Sequence, residues 1–348
     1  MSGVQAGVEG TGGGGAQRAR PNPSRQRWNY LRRRLLQAIP TVLIIISFNF
    51  FLLHLAPGDP VDVLIGEAGQ ATEAYRTQLR EQFGLDQSLP MQYGAYLKRT
   101  ATLDLGYSFR YSASNAELIF KRLGSTLVLM VSALVVSIVV GSVLGLVAAT
   151  RPGTWPVRLI LFLAVAAYAS PLFWMGLMFI VVFALKLGWF PTSGITTIGA
   201  GHEGLRYALD VAYHAVLPVV TLSLFYIALY TRLMRTAVLD NLRLNYVTTA
   251  RAKGVGPKRI VTSHVLRNAI LPVLTMAGVQ IGGMLGGSVV VESVFGWPGL
   301  GMLAFDALLS RDLNLLLGIL LLGCILVVLT NIAVDLAYTF VDPRVTLQ

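Results

Sequence analysis

Histidine, cysteine and lysine carry much of protein side-chain chemistry, and in this chain they are few and dispersed. The four histidines, His54, His202, His214 and His264, stand far apart. His202-Glu203 opens like a zinc-binding helix, but the second histidine of that motif is missing. Cys324 is the single cysteine, so no disulfide or zinc-thiolate framework can form within one chain. It lies in an apolar run and reads as a small packing residue. None of the five lysines, Lys98, Lys121, Lys186, Lys253 and Lys258, follows a glycine, which excludes a phosphate-binding loop ending in Gly-Lys. Neither a nucleophile elbow nor a pair of carboxylates stands out. No catalytic residue, no metal ligand and no cofactor bound by this chain is expected.

What remains is electrostatic. Residues Tyr246–Pro272, YVTTARAKGVGPKRIVTSHVLRNAILP, form a basic segment between two apolar runs. Asn245–Lys253 lacks glycine and proline and can be helical. Gly254 suits a helix stop because it tolerates the left-handed conformation that follows a C-cap. Gly256 permits a turn, and Pro257 suits the first position of a second helix. Ile260, Val261, His264, Val265 and Leu266 then give an apolar side. Arg251, Lys253, Lys258 and Arg259 flank the turn and make its tip cationic. Pro272 marks the start of the next apolar run. Such a segment can dock a partner protein or lie on lipid headgroups, and the residues alone leave both open.

The elements that hold this segment are apolar. The chain is 54% hydrophobic and 13% charged, with a mean hydropathy of +0.64; a soluble protein carries about 25% charged residues. Six runs are long enough to cross a bilayer, which takes about 20 apolar residues. They are Leu36–Leu55, Thr126–Thr150, Leu159–Leu185, Ala215–Tyr230, Ala269–Val291 and Leu313–Tyr338. The net charge of +11 is sorted between their connections. With the N-terminus inside, the inner pieces 1–35, 151–158, 231–268 and the end from Asp335 hold 18 Lys/Arg against 4 Asp/Glu. The outer pieces 57–122, 186–214 and 292–312 hold 10 against 13. This is the positive-inside pattern, so the basicity encodes orientation rather than nucleic-acid binding, and both termini are expected in the cytoplasm.

The expected organisation follows. Residues 1–30 form a Gly-rich, disordered cytoplasmic tail that cannot bury a core, and Arg32–Arg34 fix the inner end of the first span, residues 31–56. Binding of that cluster to anionic lipid is a secondary possibility. Residues 57–122 form an outer cap, with a short surface helix over 73–82 stopped by Gly84 and a partly structured stretch over 85–109. Residues 123–340 form the transmembrane core, which carries the cytoplasmic loop 232–268, and 341–348 form a cytoplasmic end. In the fifth span Gly278, Gly282 and Gly286 recur every four residues, as do Gly283 and Gly287. They leave smooth faces for close helix approach, either within the chain or against a second chain. Gly141 and Gly145 repeat the pattern more weakly.

The basic segment resembles the EAA loop of permease subunits of ATP-binding-cassette importers. The matching positions are Thr248, Thr249, Ala250 and Gly254, followed by Leu266 and Arg267. Thr248 replaces the family's acidic residue, Thr249 an Ala and Arg267 a Pro. ARAKG followed by HVLRNAILP is similar to the B-type permeases of dipeptide, oligopeptide and nickel importers. The likeness extends from about Arg33 through HLAPGDP at 54–60, LGWFPTSG at 187–194, VVVESVFGWPGLG and the terminal VDP. It implies an all-α membrane protein of about six transmembrane helices, of the type I importer class, in a bacterial inner membrane. It further implies a second homologous permease subunit, two cytoplasmic ATPases that bind ATP and Mg, and an extracytoplasmic substrate-binding protein. Tyr246, Thr248, Thr249, Ala250, Arg251, Lys253 and Gly254 would form the coupling loop that meets an ATPase. Peptides are the expected cargo, with nickel chelates, glutathione or a peptide-like compound as alternatives within the family. From another class, an ion-coupled secondary transporter would need ionisable groups at membrane depth; Glu292, His54 and Asp335 lie near span ends.

Overall fold

In the computed structural model, residues 23–55, 87–108 and 110–341 are described. Helix α1 runs over Pro23–Leu55 and α2 over Leu89–Ala101. A two-stranded antiparallel ribbon, β1 (Tyr107–Ser108) with β2 (Ala113–Ser114), sets Tyr107 opposite Ser114 and leads into α3, Asn115–Thr150. Then come α4 (Trp155–Ala169), α5 (Leu172–Lys186, π-helical from Ile180) and α6 (Gly204–Leu242). The short α7 (Asn245–Ala252) precedes α8 (Pro257–Phe295), and α9 (Leu300–Leu309) and α10 (Leu313–Val341) complete the chain. Among the described residues α3, α6, α8 and α10 are long and apolar enough to cross a membrane, and α4 with α5 would count as a fifth span. The apolar part of α1, Ile39–Leu52, is shorter. Five of the six expected runs are continuously helical and the third is helical on both sides of a break, and the chain is an all-α, multi-pass membrane protein.

The boundaries differ from expectation where hydropathy carries little information. The third run is not one rod: Ser170 and Pro171 are both extended, and the axes of α4 and α5 differ by 111°. Proline lacks an N–H and drives its predecessor out of the helical region, while averaged hydropathy runs straight across the break. The fourth helix extends well beyond Ala215–Tyr230 at both ends. The fifth starts at Pro257, not near Ala269, and Pro272 sits inside it, as prolines can when spans are supported by neighbouring helices. Helix α1 begins at Pro23, so 23–30 are helical rather than part of a disordered tail. The rest of that tail, the expected helix over 73–82, Ala56–Pro60 of HLAPGDP, the terminal VDP beyond Val341 and the side chain of Asp335 lie outside the described residues.

Helix α6 is the central post. In its most apolar stretch 56% of the residues are buried, against 28–33% in the other spanning helices. Leu222, Tyr230, Met234 and Val238 on α6 join Leu129 and Ala133 of α3 and Val273, Ala277 and Met284 of α8 in one core. Glycine allows the closest approach. A Cβ at Gly141 would stand 2.6 Å from the Tyr230 Cβ, and one at Gly145 would stand 2.5 Å from the Thr231 carbonyl oxygen. Close backbone approach of this kind is how spans associate where lipid supplies no hydrophobic drive. A smaller core at one end packs Ile119 of α3 with Leu300, Leu303 and Ala307 of α9 and Leu315 and Ile319 of α10. Helix α1 attaches through Asn49, whose Nδ2 donates to the Leu317 carbonyl at 3.3 Å. Helix α2 leans on α1 through the Ser47–Tyr93 hydroxyl pair at 2.6 Å. Rows of exposed valines on α3, among them Val131, Val135 and Val139, form the kind of surface that faces lipid.

Candidate functional site

The basic segment folds into a short helix held by a specific stop. In α7 Val247 and Ala250, three residues apart and so on one face, are buried in the main core. Thr248, Thr249, Arg251 and Lys253 are exposed, and Tyr246 is half-buried with its hydroxyl donating to Asn241 Oδ1 at 3.0 Å. The helix ends at Lys253, and Gly254 takes φ +75°, the left-handed conformation. Its N–H bonds the Arg251 carbonyl at 2.9 Å, and the Val255 N–H bonds the Ala250 carbonyl at 3.1 Å. These two bonds are a Schellman stop, in which the second and third carbonyls back from the cap are satisfied from beyond it. Gly256 caps α8, with Pro257 at its first position. Ile260 and Val265 turn inward, whereas His264, expected on the apolar side, is exposed. A π-helical turn at Ile260–Val265 shifts the facing by more than an α-helical count allows. Arg251, Lys253, Lys258 and Arg259 are all exposed, and none forms an ion pair among the described residues.

At the Phe295 end of α8 the stretch VVVESVFGWPGLG builds a second unit. Gly296 closes α8 at φ +57°, and Trp297 is buried with its indole N–H donating to the Ser125 carbonyl at 2.9 Å. Glu292 is buried, and its two carboxyl oxygens meet the start of α9. The Met302 N–H donates to Oε2 at 2.9 Å, and the Thr126 hydroxyl donates to Oε1 at 2.8 Å. That hydroxyl in turn accepts the Leu300 N–H at 2.7 Å. The first N–H groups of a helix have no partner of their own, and a carboxyl group is suited to that position. Gly299 and Gly301 are required there, since a Cβ on Gly299 would collide with the Glu292 carboxyl and one on Gly301 would stand 2.6 Å from the Val289 Cα. One acidic residue thus ties α3, α8 and α9 together.

The glycines of α8 divide by face. Gly278 is buried, while Gly282, Gly283 and Gly286 are exposed beside Val279, itself 70% exposed. A Cβ on Gly286 would meet nothing within 4 Å, and one on Gly282 only Val327 Cγ1 at 3.7 Å. The tight intrachain contact is made instead by Gly141 and Gly145 of α3. The weaker sequence signal is therefore the one the chain uses for its own packing.

Residues 141–347 match the family described as binding-protein-dependent transport system inner membrane component, and residues 27–130 match its N-terminal counterpart. The chain belongs to this family of transport permeases. The permease is 37% identical over 317 residues to the oligopeptide transport system permease protein AppB of Bacillus subtilis. It is 37% identical over 318 residues to the glutathione transport system permease protein GsiC of Escherichia coli strain K12. Each match covers 91% of this chain and 98% of the relative. Among solved structures a chain of the MetNI methionine ABC transporter, in an inward-facing conformation, overlays with a TM-score of 0.51. It is 19% identical and covers 65% of the permease and 96% of that chain, so the fold is of the type I importer class.

Within the permease Thr248, Thr249, Arg251, Lys253 and Gly254 stay together on one exposed knob, while Ala250 is buried beneath it and Tyr246 is half-buried against Asn241. The span-five glycines lie elsewhere, on α8. His54 near the end of α1 is engaged: Nδ1 contacts the Phe50 carbonyl at 2.8 Å and Nε2 contacts Gln92 Oε1 at 2.9 Å. Sequence reasoning passed over two features. The Glu292 unit had a signal in the alternation of glycines after an acidic residue. The break at Ser170-Pro171 had one in the proline at the centre of an apolar run.

Proposed function

We propose that this permease is one half of the translocation pathway of a bacterial peptide importer and is driven by partner ATPases through α7. The carrying observation is the exposed, cationic α7 knob, anchored in the bundle core by Val247 and Ala250 and terminated at Gly254. A load applied to Thr248, Thr249, Arg251 or Lys253 would reach α6 and α8 without passing through a flexible linker. Closure of two ATP- and Mg-binding subunits would press on this knob and switch the pathway between outward and inward openings. The chain itself has no catalytic role in this reading. A homologous permease covers the exposed glycine face of α8, and a binding protein delivers cargo from outside. The charge distribution supports both termini, the tail 1–30, the loop 232–268 and the end 341–348 on the cytoplasmic side of the inner membrane. The region 57–122 caps the outer mouth. The oligopeptide and glutathione cargoes for which AppB and GsiC are named support a peptide as cargo, and glutathione, itself a tripeptide, fits the same reading.

The test is purification of the tagged permease from its native membrane in mild detergent, followed by mass spectrometry. The expected result is recovery of one or two P-loop ATPases and a second six-span chain. A chain recovered alone, in detergent that preserves such complexes, would overturn the assignment and favour ion-coupled transport.

A further inference from the structure

The break between α4 and α5 opens a cavity of about 300 Å³, bounded by the two helix ends, the middle of α6 and Gly287 of α8. Its walls are apolar and aromatic. Tyr168 of α4 stacks on Phe225 of α6 with ring centroids 4.7 Å apart, and Leu172, Met175 and Leu222 complete the lining. No lysine, arginine, aspartate or glutamate lines it. That volume lies at the small end of ligand pockets, which run from about 300 to 1,000 Å³. It suits one end of a peptide rather than a long chain.

Two independent features make the cavity a donor site. Helix α5 begins at it: Pro171, the N-cap, supplies no side-chain cap, and the N–H groups of Leu172, Phe173 and Trp174 have no partner among the described residues. An uncapped helix start inside a membrane span attracts an anionic group. The second feature is Tyr226. It is 6% exposed, it lines the same cavity, and its hydroxyl has no hydrogen-bond partner among the described residues. The other buried or half-buried hydroxyls of the lining are engaged, Thr221 with the Leu217 carbonyl at 2.8 Å and Ser170 with the Ala166 carbonyl at 2.7 Å. The Tyr226 oxygen would stand 3.5 Å from a Cβ on Gly283, beside the exposed glycine face of α8. An apolar cavity edged by the uncapped start of α5 and lined by Tyr226 and the exposed Tyr168, with no cation, selects a small acceptor joined to an apolar body.

We propose that this cavity is a cargo-binding site of the permease, which takes a peptide's terminal carboxylate on the α5 start and the Tyr226 hydroxyl and its last side chain against Tyr168, Phe225 and Met175. The proposal rests on the peptide-importer reading and assigns the permease a part in selecting cargo that the binding protein delivers.

The test uses the intact complex in nanodiscs and a photoreactive dipeptide, alanyl-benzoylphenylalanine, as free acid and as C-terminal amide, with adducts mapped by mass spectrometry. The free acid is expected to label Tyr168, Leu172, Met175 or Phe225, and the amide about tenfold less, the loss typical of a hydrogen bond to a charged group. Tyr226→Phe, which removes only the hydroxyl, should lower acid labelling by a similar factor and leave the amide unchanged. Gly287→Leu, which fills the space toward Leu222 and Leu172, should abolish both. Equal labelling by acid and amide, adducts outside the cavity, or displacement of the label by a fatty acid but not by dialanine would each overturn the proposal. Failure of the importer reading is separately visible as a complex that lacks ATPases, whatever the labelling pattern.

Discussion

Two residues concentrate the energetics of the functional surfaces. At Gly254 the φ of +75° and the N–H bond to Arg251 are both incompatible with proline, whose φ is fixed near −65° and which has no N–H. Gly254→Pro should unmake the stop of α7 while leaving the spans inserted. In reconstituted complexes the expected outcome is ATP hydrolysis that persists while peptide uptake falls at least tenfold; normal uptake would falsify the coupling role of this turn. At Glu292 the carboxyl accepts the Met302 N–H and the Thr126 hydroxyl. Glu292→Ala should leave both donors unpaired, at about 1–3 kcal/mol for each one that stays shut off from water. Glu292→Gln keeps one acceptor oxygen and should cost less. Thermal unfolding in detergent reads the order, and equal midpoints for Ala and Gln would mean that the carboxyl does not hold α9. The break at Ser170-Pro171 was implicit in the sequence as a proline within an apolar run. Pro218 and Pro272 carry the same signal inside unbroken helices, so the residue type alone could not distinguish them.

At the scale of elements the two glycine patterns should behave oppositely. Gly141 and Gly145 seat α3 against the backbone of α6, so Gly145→Leu forces apart the most extensive helix pair of the fold. Overpacking costs about 1–3 kcal/mol in a core that can adjust and more against backbone. The expected outcome is loss of folded protein, measured as monodisperse yield on size exclusion. Gly282 and Gly286 face outward, so Gly282→Leu should leave the isolated chain folded yet reduce recovery of the second permease and uptake. If the yields of the two variants were interchanged, the assignment of inner and outer glycine faces would be wrong. Sequence periodicity finds both stripes equally well. Which stripe meets a neighbour depends on the rotation of each helix about its axis, and packing sets that.

The whole molecule is oriented by charge. We infer from the Lys/Arg excess on one set of connections that α7 lies on the cytoplasmic side and the 187–194 connection outside. With Cys324 changed to Ser, a cysteine at Thr248 should react with an impermeant maleimide only in inside-out vesicles. One at Ser193 should react only from the other face; both positions are exposed. Reaction of Thr248→Cys from outside would invert the topology and remove α7 from any ATPase.

The sequence by itself determined that the chain is a helical membrane protein, that no lysine in it follows a glycine as a phosphate-binding loop requires, and where the basic turn lies. Those properties follow from composition, from run length against bilayer thickness and from local turn chemistry, all of which act over a few residues. Tertiary structure alone decided that α6 is the central post and that Gly141 and Gly145 mark its closest contact. It alone brought Glu292 onto the start of α9, and it set Tyr226 of α6 and Leu172 at the start of α5 in the lining of one cavity. Each of these is a meeting of residues far apart in the chain, fixed by how helices rotate and cross when they bury side chains, and no local pattern encodes that geometry.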